Sequence, residues 1–143
     1  MSISIQPAVI EDADEMLDVG IAAFAGDLMN MAIFNLDNAT PEELAEHSQW
    51  RTSMTRLRIS GQGKHWFKAI DEASGKIVGF TGLYSPDADT SNLASLPKPK
   101  CINVEVYNEI ISTLEAAKKE LMGNRQDYWC KNLLPFMNAC FKS

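Results

Sequence analysis

Four basic side chains in one short stretch could bind a phosphate group. They are Arg51, Arg56, Arg58 and Lys64. Guanidinium and ammonium groups are common partners of phosphate oxygens because they combine positive charge with hydrogen-bond donors. Three of the four fall inside one helical pattern, where charged residues usually face water. The simpler interpretation is therefore a solvated helix face, and phosphate binding is the alternative.

Two pairs of titratable residues could serve acid–base chemistry. Glu105 and Glu109 lie on a predicted helix, where either carboxylate could act as a general base if it pointed inward. His47 lies beside the apolar stripe of another predicted helix, and His65 begins a predicted strand. Helical glutamates are more often exposed, and single histidines are more often half-buried or surface residues than bases or ligands. We therefore assign no catalytic residue from the sequence.

Cysteine usage and hydropathy argue against a metal site and a membrane span. The three cysteines contain no C-x-x-C pair, and with only two histidines the sequence predicts no metal site. An odd, sparse cysteine count without a signal peptide favours a reducing, cytoplasmic interior. No apolar run approaches the roughly 18 residues of a spanning helix, so we expect no contact with the membrane interior.

Charge is divided unevenly along the 143 residues. The net charge is −6, which disfavours nucleic acid as a partner. All 13 Lys and Arg residues follow residue 50, whereas ten of the 19 acids precede it. An acidic half could attract cationic amines. The simpler interpretation is a pair of solvated helix faces whose charges offset each other.

The spacing of apolar residues predicts a mixed α/β (α+β) fold with a mainly antiparallel sheet, in the order β-α-α-β-β-loop-α-β. The predicted elements are an edge strand over 2–9, a helix over 10–25, a helix over 41–59, a hairpin of strands 65–70 and 77–84, a helix over 103–122 and a strand beginning within 127–134. Residues 27–39 are an apolar connection, which we interpret as a short helix or a lid over a pocket.

Local signals refine three of these elements. Thr40, Pro41 and Glu43 have the spacing of a capping box with proline at the first helical position. Gly79 and Gly82 inside a strand indicate a bulge or a close approach of the backbone. The expected apolar stripes are Ile10, Ala13, Leu17, Ile21 and Phe24 on the first helix, and Leu44, His47 or Ser48, Trp50, Met54 and Leu57 on the second.

Short sequence words follow one another in a particular order along nearly the whole chain to Trp129. They are Glu11-Asp12-Ala13, Ala22-Ala23-Phe24, Lys68-Ala69-Ile70-Asp71, Gly75-Lys76-Ile77-Val78-Gly79-Phe80, Leu96-Pro97, Asn103, Lys118-Lys119, Met122-Gly123-Asn124-Arg125 and Asp127-Tyr128-Trp129. In this order and spacing, the sequence resembles the GNAT family of N-acetyltransferases, especially its small fungal members.

The resemblance implies acetyl transfer from acetyl-coenzyme A to a small-molecule or protein amine, with the amine attacking the thioester directly. It implies that Phe24 and Tyr84 approach the acceptor pocket, for which core packing is the alternative. It also implies a glycine-rich loop after the central strand, opening a helix whose N–H groups hold the pyrophosphate of the cofactor.

The sequence departs from the family pattern after Trp129, because no glycine occurs after Gly123. We therefore expect residues 1–129 to be the front portion of a GNAT-like acetyltransferase domain, truncated or altered there, and residues 130–143 to be a divergent tail. We assign no cofactor-binding residue. These 143 residues are expected to bind acetyl-coenzyme A poorly and to have absent or very low activity.

Two other functions remain as alternatives. A sheet that is incomplete on its carboxyl-terminal side exposes an edge and an apolar face, so the chain could be a non-catalytic interaction module. Such a module would self-associate, or pair with another chain, through the open sheet edge. Alternatively, the acidic residues 1–50 could capture cationic ligands.

Overall fold

The protein, described here from a computed structural model, is a mixed α/β structure. The structure describes residues 2–89, 96–125, 127, 129–134 and 137–141, with the backbone only for 130–134 and 137–141. The helices are α1 (Ala13–Ala23), α2 (Leu28–Ile33), α3 (Pro41–Ile59) and α4 (Val104–Met122). The strands are β1 (Ile3–Pro7), β2 (Lys64–Asp71), β3 (Ile77–Tyr84), β4 (Trp129–Leu134) and β5 (Met137–Phe141). The predicted fold class is therefore confirmed.

The five strands form one sheet in which each strand pairs with its neighbour in the sequence, in the order β1-β2-β3-β4-β5. Every pair is antiparallel. The predicted hairpin is β2–β3, and the predicted edge strand is β1. The predicted last strand is β4, and β5 is a further strand that the sequence did not predict.

The β2–β3 hairpin contains both features that its glycines indicated. Val78 has no partner between the pairs Ala69–Gly79 and Ile70–Ile77, so a bulge lies beside Gly79. The indole of Trp66 lies directly against Gly82, where an added Cβ would come within 2.6 Å of the ring. Glycine is required there because any side chain would displace the Trp66 ring from the core.

Helix α1 begins later and faces differently than predicted. Residues Ile10–Asp12 form a 3₁₀ turn, and the α-helix covers Ala13–Ala23. Ala13 and Leu17 of the predicted stripe are buried as expected, Ile10 and Ile21 are exposed, and Met16 and Gly20 are buried in addition. Gly20 faces the sheet, where the Phe80 ring of β3 lies 3.4 Å from the position of an added Cβ, an ordinary van der Waals distance.

The apolar connection over 27–39 contains the short helix α2, which Asp27 caps by accepting a hydrogen bond from the Asn30 N–H at 2.9 Å. Ile33, the last residue of α2, and Phe34, which follows it, belong to a core cluster with residues of α3 and of the segment before α4. That cluster consists of Ile33, Phe34, Trp50, Met54, Cys101 and Ile102. A second cluster between α1 and the sheet consists of Met16, Trp66, Ile77 and Tyr84.

Helix α3 has the boundaries that its capping box predicted. The Glu43 N–H donates to the Thr40 hydroxyl at 3.2 Å, and the Thr40 N–H donates to the Glu43 carboxylate at 2.8 Å. The helix packs against α1 on one side and β2 on the other. It also contributes to the first core cluster, so more of its surface is enclosed than one apolar stripe would require.

Candidate functional site

The buried face of α3 is cationic, which corrects the prediction of a solvated face. Arg51 and Arg58 are buried, and so is Lys64 at the start of β2. Only Arg56 of the four basic residues has the predicted exposure, and it forms a surface ion pair with Asp14 at 3.2 Å. The predicted stripe was also wrong at Leu44, which is 43% exposed.

Arg58 and Lys64 have specific partners in the interior. Arg58 forms a side-chain hydrogen bond with Tyr84. Burial lowers the pKa of Arg58, and the phenol groups of Tyr84 and Tyr107 oppose that shift. The Lys64 ammonium donates to the Leu57 carbonyl at 3.1 Å. Burial lowers the pKa of Lys64, and the negative charge of Asp89 opposes that shift.

Arg51 differs from these two cations in its surroundings. The residue as a whole is 8% exposed, and its guanidinium forms no ion pair or hydrogen bond within the described part of the chain. Burial lowers the pKa of Arg51. A guanidinium nevertheless stays charged near neutral pH, because its ordinary pKa is above about 12. A buried cation of this kind requires an anion or water in contact with it.

Arg51 borders a pocket of about 230 Å³ between the end of α1, helix α2 and the loop that follows α2. The apolar walls are Ile21, Phe24, Met31, Phe34 and Leu36, and the polar residues are Asn30, Asn35, Asp37 and Arg51. Asp37 lies on the exposed loop and is not ion-paired with Arg51. The pocket therefore combines an apolar wall with one enclosed positive group and one exposed carboxylate.

A second pocket, of about 460 Å³, lies on the other side of α2 and includes Glu43 and Lys100. Glu43 is already engaged in the cap of α3, and Lys100 is exposed. Its only cysteine, Cys101, is buried, and this burial raises the pKa of the thiol. No group in this pocket combines charge with burial, so the Arg51 pocket is the stronger candidate site.

His47 lies one helical turn before Arg51 and is buried, not half-buried or at the surface as predicted. Its ring meets Phe34 edge-on, with the ring centroids 4.5 Å apart. Burial, together with the positive charge of Arg51, lowers the pKa of His47 to about 4. The Nε2 atom has no hydrogen-bond partner among the described residues. His47 is therefore a neutral residue at pH 7.

The residues singled out from the sequence lie in different places. Phe24 borders the Arg51 pocket, whereas Tyr84 is buried in the second core cluster and is not among the residues that border it. Glu105 and Glu109 are exposed on α4. His65 is exposed and packs against Trp129, with the ring centroids 5.4 Å apart. Of these five residues, only Phe24 belongs to the candidate site.

The sequence named Arg51 as one of four possible phosphate-binding residues, but a solvated helix face was the preferred interpretation and no pocket was predicted beside it. The available signal was its spacing of four from His47 and its position next to Trp50, which puts it on the edge of the apolar stripe. The burial of that edge depends on Phe34 and on the 35–37 loop, which the sequence placed in either a short helix or a lid.

No described helix start fits the pyrophosphate of coenzyme A. Such a site needs free backbone N–H groups and no competing negative charge. The starts of α1 and α3 carry acidic residues in the first turn, and the cap of α2 is Asp27. At α4, Asn103 accepts a hydrogen bond from the Val106 N–H at 3.2 Å, and Glu105 follows. No chemical step through this cofactor is derived from these residues.

Comparisons of the chain with protein-family models, with curated proteins and with solved structures give no match. Among the described residues, no helix combines the length and the apolar character needed to cross a bilayer. The same part of the chain contains no group of three or more His, Cys, Asp and Glu side chains that could hold a metal ion.

Proposed function

We propose that the chain belongs to the GNAT type of N-acetyltransferases, which transfer acetyl groups from acetyl-coenzyme A to an amine, and that the pocket beside Arg51 receives the amine. The observation that carries this proposal is the pocket beside Phe24, the residue that the family resemblance assigns to the acceptor site. The order of the sequence words and the mainly antiparallel sheet also favour it.

The chemistry of the pocket suits an amine with an apolar body. Phe24 and Met31 offer apolar surface, and the exposed carboxylate of Asp37 offers a partner for an ammonium group. Acetyl transfer requires the amine to lose its proton before it attacks the thioester. We assign no base for that proton, because Glu105 and Glu109 are exposed and do not border the pocket.

Calorimetric titration of acetyl-coenzyme A onto these 143 residues tests the cofactor side of the proposal. We expect no micromolar binding, because no described helix start suits a pyrophosphate. Micromolar binding would contradict this expectation.

Titration with 3-methylbutylamine tests the acceptor side. We expect binding, and we expect Phe24→Ala to weaken it while Leu121→Ala, a change at an exposed position on α4, leaves it unaltered. Absence of binding to the folded chain would contradict the acceptor role.

The second candidate is a non-catalytic interaction module that pairs through the open sheet edge. The predicted open edge lies on the carboxyl-terminal side, where strand β5 pairs with β4. The observation in favour of a module is instead the other edge strand, β1, where Ile5 is 66% exposed and Ile3 is 42% exposed. Edge strands of soluble proteins usually carry charges that prevent such pairing. Strand β1 contains none, since its sequence is Ile-Ser-Ile-Gln-Pro.

Sedimentation velocity distinguishes the two candidates. An interaction module would sediment as a dimer or larger species at micromolar concentration, and Ile5→Lys would return it to the monomer. Leu121→Lys, at an exposed position on α4 away from β1, serves as the matched control. A cooperatively folding monomer at all concentrations would count against the module.

A further inference from the structure

Arg51 is the one charged residue that combines burial, a place on a pocket wall and no side-chain partner within the described residues. Arg58 forms a hydrogen bond with Tyr84, and the Lys64 ammonium donates one to the Leu57 carbonyl, so both of these buried cations already have a partner. An uncompensated buried cation destabilises a protein unless something pairs with it. Arg51 is thus suited to receive an anion that enters the pocket.

The shape of the guanidinium and its surroundings select the kind of anion. Its planar fork of N–H donors matches a carboxylate or a phosphate in a two-point contact. Asp37 is a further lining residue, and its negative charge opposes a doubly charged phosphate more than a singly charged carboxylate. The remaining wall is largely apolar, which suits a carboxylate attached to a hydrocarbon body.

We propose that Arg51 binds the carboxylate of the ligand in this pocket, so that the acceptor is a small amino acid-like molecule with an apolar side chain. The ligand's carboxylate faces Arg51, its ammonium faces Asp37, and its side chain lies against Phe24 and Met31. The acceptor role rests on the proposed function, whereas the binding of a carboxylate at Arg51 can be measured without acetyl transfer.

Three probes with the same branched carbon body separate the contributions. Leucine carries both the amine and the carboxylate, 4-methylpentanoate carries only the carboxylate, and 3-methylbutylamine carries only the amine. Each is titrated into the chain, and the side-chain Nε–H signals of its arginines are followed by NMR. We expect 4-methylpentanoate and leucine to shift the Arg51 signal, with leucine binding more tightly than either single-function probe.

Arg51→Met removes the charge and keeps a side chain of similar length. We expect this variant to bind 4-methylpentanoate and leucine at least tenfold more weakly than the unmodified chain. Its affinity for 3-methylbutylamine is expected to stay within twofold. Arg56→Met is the matched control on the same helix, because Arg56 is exposed and paired with Asp14. This control variant is expected to bind all three probes as the unmodified chain does.

The outcomes separate this inference from the proposed function. Binding of 3-methylbutylamine alone, or equal binding of 4-methylpentanoate to Arg51→Met, overturns the carboxylate site and leaves the acceptor pocket standing. Binding of 4-methylpentanoate without either amine supports the carboxylate site and overturns the acceptor role. If Arg51→Met does not fold, the test is the Arg51 NMR signal of the unmodified chain. The inference is overturned if 4-methylpentanoate does not shift that signal.

Discussion

His47 and Arg51 lie one turn apart on α3, and the charge of Arg51 acts on the imidazole of His47. Burial removes water from both side chains, and the permanent charge of Arg51 makes a second positive charge on His47 unfavourable. The imidazole therefore stays neutral until the solution is strongly acidic. In an unfolded chain, by contrast, the same histidine titrates near its ordinary pKa of about 6.5.

The depressed pKa of His47 predicts a loss of stability in mild acid. Between about pH 6.5 and pH 4 the unfolded chain binds a proton at this residue and the folded chain does not, so the free energy of unfolding falls as the pH falls. From pH 7 to pH 5 the expected loss is about 2 kcal/mol. Urea unfolding at both pH values measures it.

His47→Gln provides the comparison for that measurement, because glutamine is polar and does not titrate. We expect its free energy of unfolding to change by about 0.5 kcal/mol or less over the same interval. His65→Gln is the matched control, since His65 is exposed. A loss in His47→Gln equal to that of the unmodified chain would show that another group causes it.

At the scale of the elements, the β2–β3 hairpin depends on contact between one ring and one backbone position. The Trp66 indole covers Gly82 on the neighbouring strand, and the same ring belongs to the second core cluster. Gly79, three residues earlier, has only the Ala69 methyl group in reach, at 3.8 Å from an added Cβ. Of these two glycines on one strand, Gly79 thus has room for a side-chain methyl group and Gly82 does not.

Gly82→Ala is therefore expected to destabilise the protein by about 1–3 kcal/mol, because the Trp66 ring must move away from its packed position. Gly79→Ala is expected to change stability by less than about 1 kcal/mol, since an added methyl group meets ordinary van der Waals distances. Thermal or urea unfolding, together with the tryptophan fluorescence maximum, compares the two. Equal effects would argue against the Trp66 contact.

The elements that the sequence predicts well are those with local causes. Thr40, Pro41 and Glu43 determine the start of α3 through bonds within four residues, and Gly123 ends α4 with a positive φ of 59°. The burial of Arg51 and His47 has a distant cause, because Phe34 and the 35–37 loop pack beside them. Helical periodicity gives the stripe of a helix facing one surface, and α3 faces several. For the same reason Phe24 was the one pocket residue assigned to a site in advance, whereas Arg51 was named only as an alternative to a solvated face.

For the whole molecule, ion pairs join the acidic first part of the chain to the basic remainder. Asp12, just before α1, accepts a hydrogen bond from the Lys68 ammonium of β2 at 2.6 Å, and both side chains are about 15% exposed or less. Asp12 also accepts from the Val9 N–H at 2.8 Å. Asp14 pairs with Arg56 at the surface. These pairs agree with the simpler interpretation of the charge division, in which the two signs offset each other.

The enclosed Asp12–Lys68 pair is expected to contribute more to stability than the exposed Asp14–Arg56 pair. Burial alone would raise the pKa of Asp12, but the hydrogen bonds from Lys68 and Val9 and the charge of Lys68 lower it overall. Its contribution to stability is therefore present above the ordinary pKa of about 3.9 and is lost as the pH falls through the lowered value.

Lys68→Met is expected to reduce the free energy of unfolding at pH 7 by about 1.5–3 kcal/mol, because the Asp12 carboxylate keeps its enclosure and loses its charged partner. Arg56→Met is expected to cost about 1 kcal/mol or less, since its pair with Asp14 is exposed to water. Urea unfolding of both variants measures the difference. A Lys68→Met chain as stable as Arg56→Met would contradict the stabilising role of the pair.

The position of strand β1 also matters during synthesis of the chain. The ribosome makes β1 before β2, its only partner among the described strands, which begins at Lys64. At a synthesis rate of about 5–20 residues per second, the ribosome needs roughly 3–12 s to add the intervening residues. During that interval Ile3 and Ile5 have no partner strand with which to form a sheet. Ser2, Ser4 and Gln6 alternate with them, and these polar residues keep the nascent segment hydrated until β2 emerges.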